Sequence, residues 1–303
     1  MHQITHSFYN SVILPKRCDN VFVVLRYVEP EKKRSARKRQ KKLLERSAPA
    51  AYPTLNGLPF YTLDILNDKN GINWESVCKK CGRYASRIVA PRCLCLPDSG
   101  RLKRFLPSAS AAHFIFNTAL EIIKAMNIPP DCFSVTVTDR TAAVSSKICS
   151  LLPYSSVVRV ITANPERYSD ACAEAFDSFG ASLIVRPSYE PLRKPDVVIC
   201  CDGCATSAMS GAAVFAAKHG SFGALRFCGS GMELSERHRE IIPPDIEAVD
   251  FCSAVTELCG SSEYRNSSFS EIEISCKECA HLSPDKCLEC YCCGAYLERA
   301  LRK

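Results

Sequence analysis

The chain has 303 residues, of which 47% are hydrophobic and 23% charged, with a formal net charge of +7 and 20 cysteines. This balance excludes a disordered polar chain, and the length predicts one large domain or two ordinary ones. No stretch approaches the roughly 18 apolar residues that span a bilayer, and the first twenty residues do not resemble a secretory signal. We therefore expect a cytoplasmic protein with reduced thiols and no membrane partner.

Much of the positive charge lies in one basic run, residues 32–46, which follows a strand-like segment, Val21–Val28. Lysine and arginine side chains in such a run can bind nucleic-acid phosphates. No aromatic residue interrupts the run, so it offers nothing for bases to stack on. The pattern therefore favours a solvated helix or linker, with a nucleic-acid-binding arm as the alternative.

The residues after this run predict a small α/β domain. Leu58–Leu66 alternates like a strand, and Asn73 is a suitable N-cap for the helix that should follow it. A second helix, apolar on most sides, is expected over Ser110–Met126. The expected boundaries are residues 1–51 for a strand and basic linker and residues 52–130 for the small α/β domain.

The middle of the chain alternates strand-like and helix-like patterns, as a parallel sheet requires. The clearest helix starts after Asn164 and ends at Gly180, with Tyr168, Phe176 and Phe179 at helical spacing on one apolar face. A helix of small residues is expected over Ala205–His219. The predicted strands are Phe133–Thr138, Val157–Thr162, Leu183–Val185, Val197–Cys201 and Gly223–Cys228. We therefore expect an α/β fold with a Rossmann-like parallel sheet over residues 131–262, followed by a Cys-rich tail over residues 263–303.

Ligands of open parallel sheets bind beyond the carboxyl ends of the strands, where the strand order reverses. This rule selects polar and small residues at the predicted strand ends as candidates for contact with a small-molecule or nucleotide ligand. The candidate cofactor-binding residues are Thr138, Asp139, Arg140, Asn164, Asp202, Gly203, Gly229 and Gly231.

The run Val160-Ile-Thr-Ala-Asn-Pro-Glu-Arg-Tyr168 resembles the second strand and following turn of the NAD(P)-binding domain of the shikimate dehydrogenase type. The resemblance implies an NAD(P) site on a Rossmann-like domain. The first turn, residues 138–144, contains no glycine, although glycines there let the backbone approach a pyrophosphate. Asp139 would also place a negative charge near that position. We therefore expect NAD and NADP to bind weakly or not at all.

The tail carries two Cys-x-x-Cys pairs, which can surround zinc with four thiolates. The favoured ligands are Cys276, Cys279, Cys287 and Cys290, and Cys293 can replace one of the second pair. The alternatives are an iron–sulfur cluster bound by a different set of the tail cysteines, and free thiols. Two other groups, Cys78 with Cys81 and Cys200 with Cys201, are expected to be packed as small hydrophobes.

These observations favour a cytoplasmic Rossmann-like protein that binds a ligand or has a regulatory role, with a structural zinc site in its tail. An NAD(P)-dependent oxidoreductase with an unusual cofactor loop is the first alternative. A zinc-dependent nucleic-acid-binding protein is the second. The sequence contains no serine elbow, HExxH or phosphate-binding P-loop, so it identifies no catalytic residue and leaves open whether the protein is an enzyme.

Overall fold

The computed structural model describes residues 20–53, 59–66, 71–97, 100–107, 109–192, 194–202, 207–217, 223–275 and 281–294. The chain divides into two compact units. The small unit comprises the described residues up to Phe105 together with Ile241–Ser261, and the large unit comprises Leu106–Glu240 and the residues from Ser262 onward. In the described part of the chain, no helix is long and apolar enough to cross a membrane.

The helices and strands alternate along most of the chain. The strands are β1 (Val23–Val28), β2 (Ala50–Pro53), β3 (Pro59–Leu66), β4 (Ile88–Val89), β5 (Ser134–Thr138), β6 (Val158–Ile161), β7 (Ile184–Arg186), β8 (Asp196–Cys200), β9 (Ala213–Ala216), β10 (Leu225–Ser230) and β11 (Glu271–Ile274). The α-helices are α1 (Arg34–Arg46), α2 (Trp74–Cys81), α3 (Ser110–Ala125), α4 (Ser169–Phe179), α5 (Glu236–Ile241), α6 (Ala248–Glu257) and α7 (Pro284–Cys292).

The small unit is built on a sheet in the order β2-β3-β1-β4, in which β1 runs parallel to both β3 and β4. The side chain of Asn73 accepts a hydrogen bond from the Ser76 N–H, 3.0 Å away, so it caps α2 as the sequence predicts. The rings of Phe22, Phe60 and Phe251 lie 5.2–5.6 Å apart and join α6 to this sheet. A late segment of the sequence therefore completes the core of the small unit.

The unit boundaries differ from the expected domain boundaries, and Ile241–Ser261, expected in the Rossmann-like domain, belongs to the small unit. Strand β1 lies at the centre of the small sheet rather than in a leading segment, and α3 belongs to the large unit. The reason is burial: Phe114, Ile115 and Phe116 are fully buried, and α3 packs against β8 and β9. Periodicity showed that α3 is a buried helix, but not which sheet would bury it.

The large unit confirms the Rossmann-like α/β fold. Its sheet has the order β11-β10-β9-β8-β5-β6-β7, with β5 to β10 all parallel and β11 antiparallel at one edge. Numbered along the chain, β7-β6-β5-β8-β9-β10 is the order 3-2-1-4-5-6 of Rossmann domains. The order reverses between β5 and β8. The carboxyl ends of these two neighbouring strands therefore define the expected ligand crevice.

One predicted helix of this region is wrong. The segment expected to be a helix over Ala205–His219 contains β9, whose four residues, Ala213–Ala216, are all buried. The segment after β5 is a 3₁₀-helix, Ser145–Leu151. The predicted strand ends near 138, 161, 200 and 228 and the predicted helix ending at Gly180 agree with the structure.

Candidate functional site

The first turn of the Rossmann-like domain is organised by a buried carboxylate. Asp139 directly follows β5, and its side chain is only 1% exposed. Its carboxylate accepts hydrogen bonds from the N–H groups of Ala143, at 3.0 Å, and Val144, at 2.8 Å. The hydroxyl groups of Tyr168, at 2.7 Å, and Thr141, at 3.4 Å, also donate to it. The carboxylate thus accepts from three donors of its own turn and from one more distant tyrosine.

This arrangement does not fit the pyrophosphate of a dinucleotide. In a Rossmann domain the backbone N–H groups of the first turn bind the pyrophosphate, and glycines let the backbone approach it. Here Asp139 uses the two N–H groups of Ala143 and Val144, and the position with left-handed backbone is Ala142, with φ at 57°. A diphosphate at this turn would have to displace a buried anion.

The buried carboxylate also fixes the state of its tyrosine partner. Tyr168 has no exposed surface, and burial, followed by the charge of Asp139, raises the pKa of its hydroxyl above the ordinary value. The hydroxyl therefore stays protonated and remains a hydrogen-bond donor. This contact joins the first turn to the segment that precedes α4.

The first turn is further joined to the turn after β6. The side-chain amide of Asn164 donates to the Arg140 carbonyl over 2.6 Å, and Arg167 donates to the Thr141 carbonyl over 3.4 Å. Asn164 makes no side-chain cap on the following 3₁₀-helix. The side chain of Arg140 is exposed at the rim of the crevice.

The switch point between β5 and β8 brings together three polar side chains. The hydroxyl of Thr138 donates to Asp202 Oδ1 over 3.0 Å, and both groups lie 3.6 Å from the sulfur of Cys200. Asp202 is half-buried, so its side chain keeps some exposed surface beside the end of β8. Burial raises the pKa of Cys201 well above its ordinary value, which leaves this thiol protonated and unreactive. Gly203 lies outside the described residues.

The two candidate glycines at the end of β10 are used for packing. A Cβ atom on Gly229 would lie 2.2 Å from the ring of Phe269, and one on Gly231 would lie 2.5 Å from Ser270 Oγ. Gly231 also has a left-handed backbone, with φ at 64°. These positions let the segment leading into β11 approach β10 closely. Phe269 fills the space beside Gly229 that an anion cradle would need.

The described part of the Cys-rich tail contains β11 and α7, and α7 carries Cys287 and Cys290. Cys287, Leu288 and Tyr291 are buried, whereas Cys293 is exposed at the end of the helix. Burial raises the pKa of Cys292 to about 12. In the described part of the chain, no group of three or more potential ligands is placed to hold a metal. Cys276 and Cys279 lie outside that part, so the zinc site stays a prediction.

Sequence reasoning missed a buried ion pair near the amino ends of the strands. Asp196 accepts hydrogen bonds from Arg159, at 3.3 Å, Tyr189, at 2.6 Å, Ser134, at 3.0 Å, and Thr136, at 3.2 Å. The Arg159 and Asp196 side chains are 3% and 5% exposed. An arginine that interrupts the apolar strand β6 was the available signal, since a buried charge requires a partner.

A second missed cluster surrounds a buried histidine in the large unit. His238 Nδ1 lies 2.7 Å from the Tyr264 hydroxyl and 3.3 Å from Glu263 Oε1. The Tyr264 hydroxyl also donates to Ser235 Oγ over 3.3 Å. Burial lowers the pKa of His238, and the charge of Glu263 partly opposes this effect. Ser235 also accepts a hydrogen bond from the His238 N–H at the start of α5, so the cluster has a structural role.

Comparison with known proteins gives one weak likeness. No protein-family model matches the chain, and no curated protein matches it. A crystal structure of L-tryptophan dehydrogenase from Nostoc punctiforme is similar at 14% identity, with a TM-score of 0.31, over 81% of this chain and 76% of that chain. This similarity is too low to assign a family or an activity. The Rossmann-like fold of the large unit follows from the order and direction of its strands.

The role of Asp139 predicts a large effect of a small substitution. In Asp139→Asn the side-chain amide would face N–H and O–H donors, so the free energy of unfolding should fall by about 3 kcal/mol. Tyr168→Phe removes one donor and leaves the others, so a loss of about 1.5 kcal/mol is expected. Denaturant unfolding of both variants measures the difference. An Asp139→Asn protein as stable as Tyr168→Phe would contradict this account of the turn.

His238 predicts a defined dependence of stability on pH. Because its folded pKa is lowered, the unfolded chain binds the proton more readily as the pH falls through about 6.5. The stability contributed by neutral His238 is therefore present above that value and is lost on acidification. Between pH 7.5 and 5.5, the free energy of unfolding should fall less steeply in His238→Gln than in the wild type. The exposed His281 provides the control, and His281→Gln should keep the wild-type slope.

Proposed function

We propose that this protein is a Rossmann-like ligand-binding or regulatory protein. Its ligand binds at the switch point of the sheet and has no diphosphate group bound to the first turn. The observation that carries the proposal is the Asp139 carboxylate on the N–H groups of Ala143 and Val144. These donors are the ones that a Rossmann domain normally offers to a dinucleotide. Because Asp139 already occupies these N–H groups, ligand binding depends on the polar groups that follow β8.

The chemistry of the switch point favours a ligand with hydrogen-bond donors. The half-buried carboxylate of Asp202 can accept from an amine, an amide or a hydroxyl group, and the Thr138 hydroxyl holds its orientation. Asp139 and Asp202 together disfavour an anionic group in the crevice. The proposed ligand is therefore a small polar molecule, neutral or cationic where it meets Asp202.

Titration calorimetry with NAD and NADP tests this proposal. Both dinucleotides should bind with a dissociation constant above about 1 mM, because each would have to displace the Asp139 carboxylate. Native mass spectrometry of the purified protein should show a small-molecule adduct that is absent in Asp202→Arg, whose side chain would fill the crevice. Asp131→Arg, at an exposed position before the amino end of β5, should retain the adduct.

Either of two results would contradict the proposal. Micromolar binding of NAD or NADP that is lost in Arg140→Ala or Asn164→Ala would favour an NAD(P)-dependent oxidoreductase with an unusual cofactor loop. An adduct retained in Asp202→Arg would place the ligand elsewhere on the protein.

The proposal includes a metal site in the tail, and this part is supported by the sequence pattern. Cys287 and Cys290 lie one helical turn apart in α7, a spacing at which two sulfurs can face one ion. Cys276 and Cys279 would supply the other pair, with Cys293 as a substitute for one of the second pair. The burial of Cys287 means that metal binding would require its side chain to turn from the core.

Metal analysis of the purified protein tests this site. Zinc should be present at about one equivalent and should be lost in Cys276→Ser/Cys279→Ser. The matched control, Cys93→Ser/Cys95→Ser, changes two exposed cysteines of the small unit and should keep the metal. A brown protein that absorbs near 400 nm would indicate the iron–sulfur alternative. Metal-free protein purified anaerobically with reduced thiols would contradict both metals.

A further inference from the structure

The small unit contains a cavity that is lined by α1, the second half of β3 and the start of α2. It encloses about 510 Å³ of empty space, part of which is open to solvent. Small-molecule sites in proteins typically have about 300–1,000 Å³. Every residue that lines the cavity belongs to the small unit. The cavity is therefore formed without any residue of the crevice at the switch point of the large unit.

The position of the cavity in the small sheet is one at which α/β proteins bind ligands. Strands β1 and β3 run parallel, and the last four residues of β3, Leu63–Leu66, line the cavity. Asn73 and Ser76, at the start of α2, line it as well. Ligands of open parallel sheets bind beyond the carboxyl ends of the strands, next to the start of the following helix. The topology of the small unit thus favours a ligand at this place.

Much of the cavity wall is apolar. Leu63, Ile65 and Val77 are buried in the core of the small unit, and Leu44 and Ile72 are half-buried beside them. Apolar walls of this kind remove the hydrocarbon part of a ligand from water, which stabilises the bound state. The wall therefore favours a ligand with an apolar body.

Two lysines add positive charge to this apolar wall. Lys41 lies on the half-buried side of α1, four residues after Arg37 and three before Leu44. Lys80 donates from its ammonium group to the Leu44 carbonyl, which places that group at the end of α1. Burial lowers the pKa of Lys80, and the charge of Glu45 partly opposes this effect. The Lys80 ammonium is therefore partly dehydrated, and an anion beside it would stabilise its charge.

The acidic residues of the lining balance only part of this charge. Asp64 accepts hydrogen bonds from Arg26 Nε at 2.6 Å and from its terminal nitrogen at 3.0 Å. Arg26 is not a lining residue, so it offsets the charge of Asp64 from outside the cavity. Glu45 is the other acidic residue of the lining. Two lysines thus face one carboxylate that Arg26 does not offset, and the cavity attracts anions.

We propose that the small unit binds a small organic carboxylate with an apolar body in this cavity. The carboxylate accepts hydrogen bonds from Lys41 and Lys80, and its hydrocarbon part packs against Leu63, Ile65 and Val77. A phosphate group is disfavoured, because the Ser76 N–H at the start of α2 already donates to the Asn73 side chain over 3.0 Å. This site gives the inward side of the basic helix α1 a role in binding.

Ligand-observed NMR titration with three simple compounds tests the proposal. Hexanoate should bind with a dissociation constant of about 1 mM or lower. Hexylammonium has the same hydrocarbon chain and the opposite charge, so it should bind at least about tenfold more weakly. Propionate keeps the carboxylate but has a shorter chain, so it should also bind at least about tenfold more weakly.

Substitutions of the two lysines test how the carboxylate is held. Lys41→Met and Lys80→Met should each weaken hexanoate binding at least about fivefold, because each removes a charged hydrogen-bond donor. Lys80→Arg keeps the charge and should retain most of the affinity. The matched controls are Lys42→Met and Lys79→Met, at exposed neighbours that do not line the cavity, and both should bind hexanoate as the wild type does.

A second set of variants tests the location of the site. The ring introduced by Ser76→Phe would occupy the cavity and should abolish hexanoate binding, whereas Glu75→Phe, at an exposed neighbour outside the lining, should not. Asp202→Arg should leave hexanoate binding unchanged, which keeps this test separate from that of the switch-point ligand. Circular dichroism and denaturant unfolding check that each variant remains folded.

Several outcomes would overturn the proposal. Hexanoate that does not bind at about 10 mM would exclude the site. Unchanged binding in folded Lys41→Met/Lys80→Met or Ser76→Phe would place the carboxylate elsewhere on the protein. Hexylammonium that binds as tightly as hexanoate would show that the lysines do not select an anion. Inorganic phosphate that displaces hexanoate at a lower concentration than propionate does would identify a phosphate site instead.

Discussion

The architecture of the crevice depends on the buried carboxylate of Asp139. Burying a charged side chain costs free energy unless it is hydrogen-bonded. Asp139 is 1% exposed, and its carboxylate accepts hydrogen bonds from two backbone N–H groups and two hydroxyl groups. In a dinucleotide-binding domain a ligand phosphate provides the negative charge at this turn. Here the chain provides it through Asp139, so the turn is held in place without a ligand. The hydrogen bond from Tyr168 also holds the segment before α4 against this turn.

A second buried charge stabilises the opposite end of the same sheet. Asp196 pairs with Arg159, and Ser134 and Thr136 of β5 donate to the same carboxylate. Thr138, further along β5, donates to Asp202 at the carboxyl end. One face of β5 therefore carries hydroxyl groups that serve acidic side chains at both ends of β8. These hydrogen bonds fix the register of β5 against β8, and with it the position of the crevice.

Much of the fold could be predicted, and the exceptions have physical causes. Strands β5, β6 and β8 were recognisable from β-branched runs that end in turn residues. Strand β9 was missed because Ala212–Ala217 has helical composition, and a strand buried on both faces shows no alternation. Phe176 and Phe179 were predicted to share one apolar face of α4 because their spacing is helical. On α4 two stripes satisfy that spacing, and the smaller one, with Ala171 and Ala175, faces inward.

The candidate site was predictable in position but not in chemistry. The strand-end rule selects Thr138, Asp139 and Asp202. The Tyr168 hydroxyl that donates to Asp139 lies 29 residues further along the chain, and no sequence pattern predicts this hydrogen bond. The thiols near the crevice are buried, and the raised pKa of Cys201 keeps it protonated. A nucleophilic thiolate is therefore disfavoured where Asp202 meets the crevice. Hydrogen bonding to a ligand is the chemistry that these residues support.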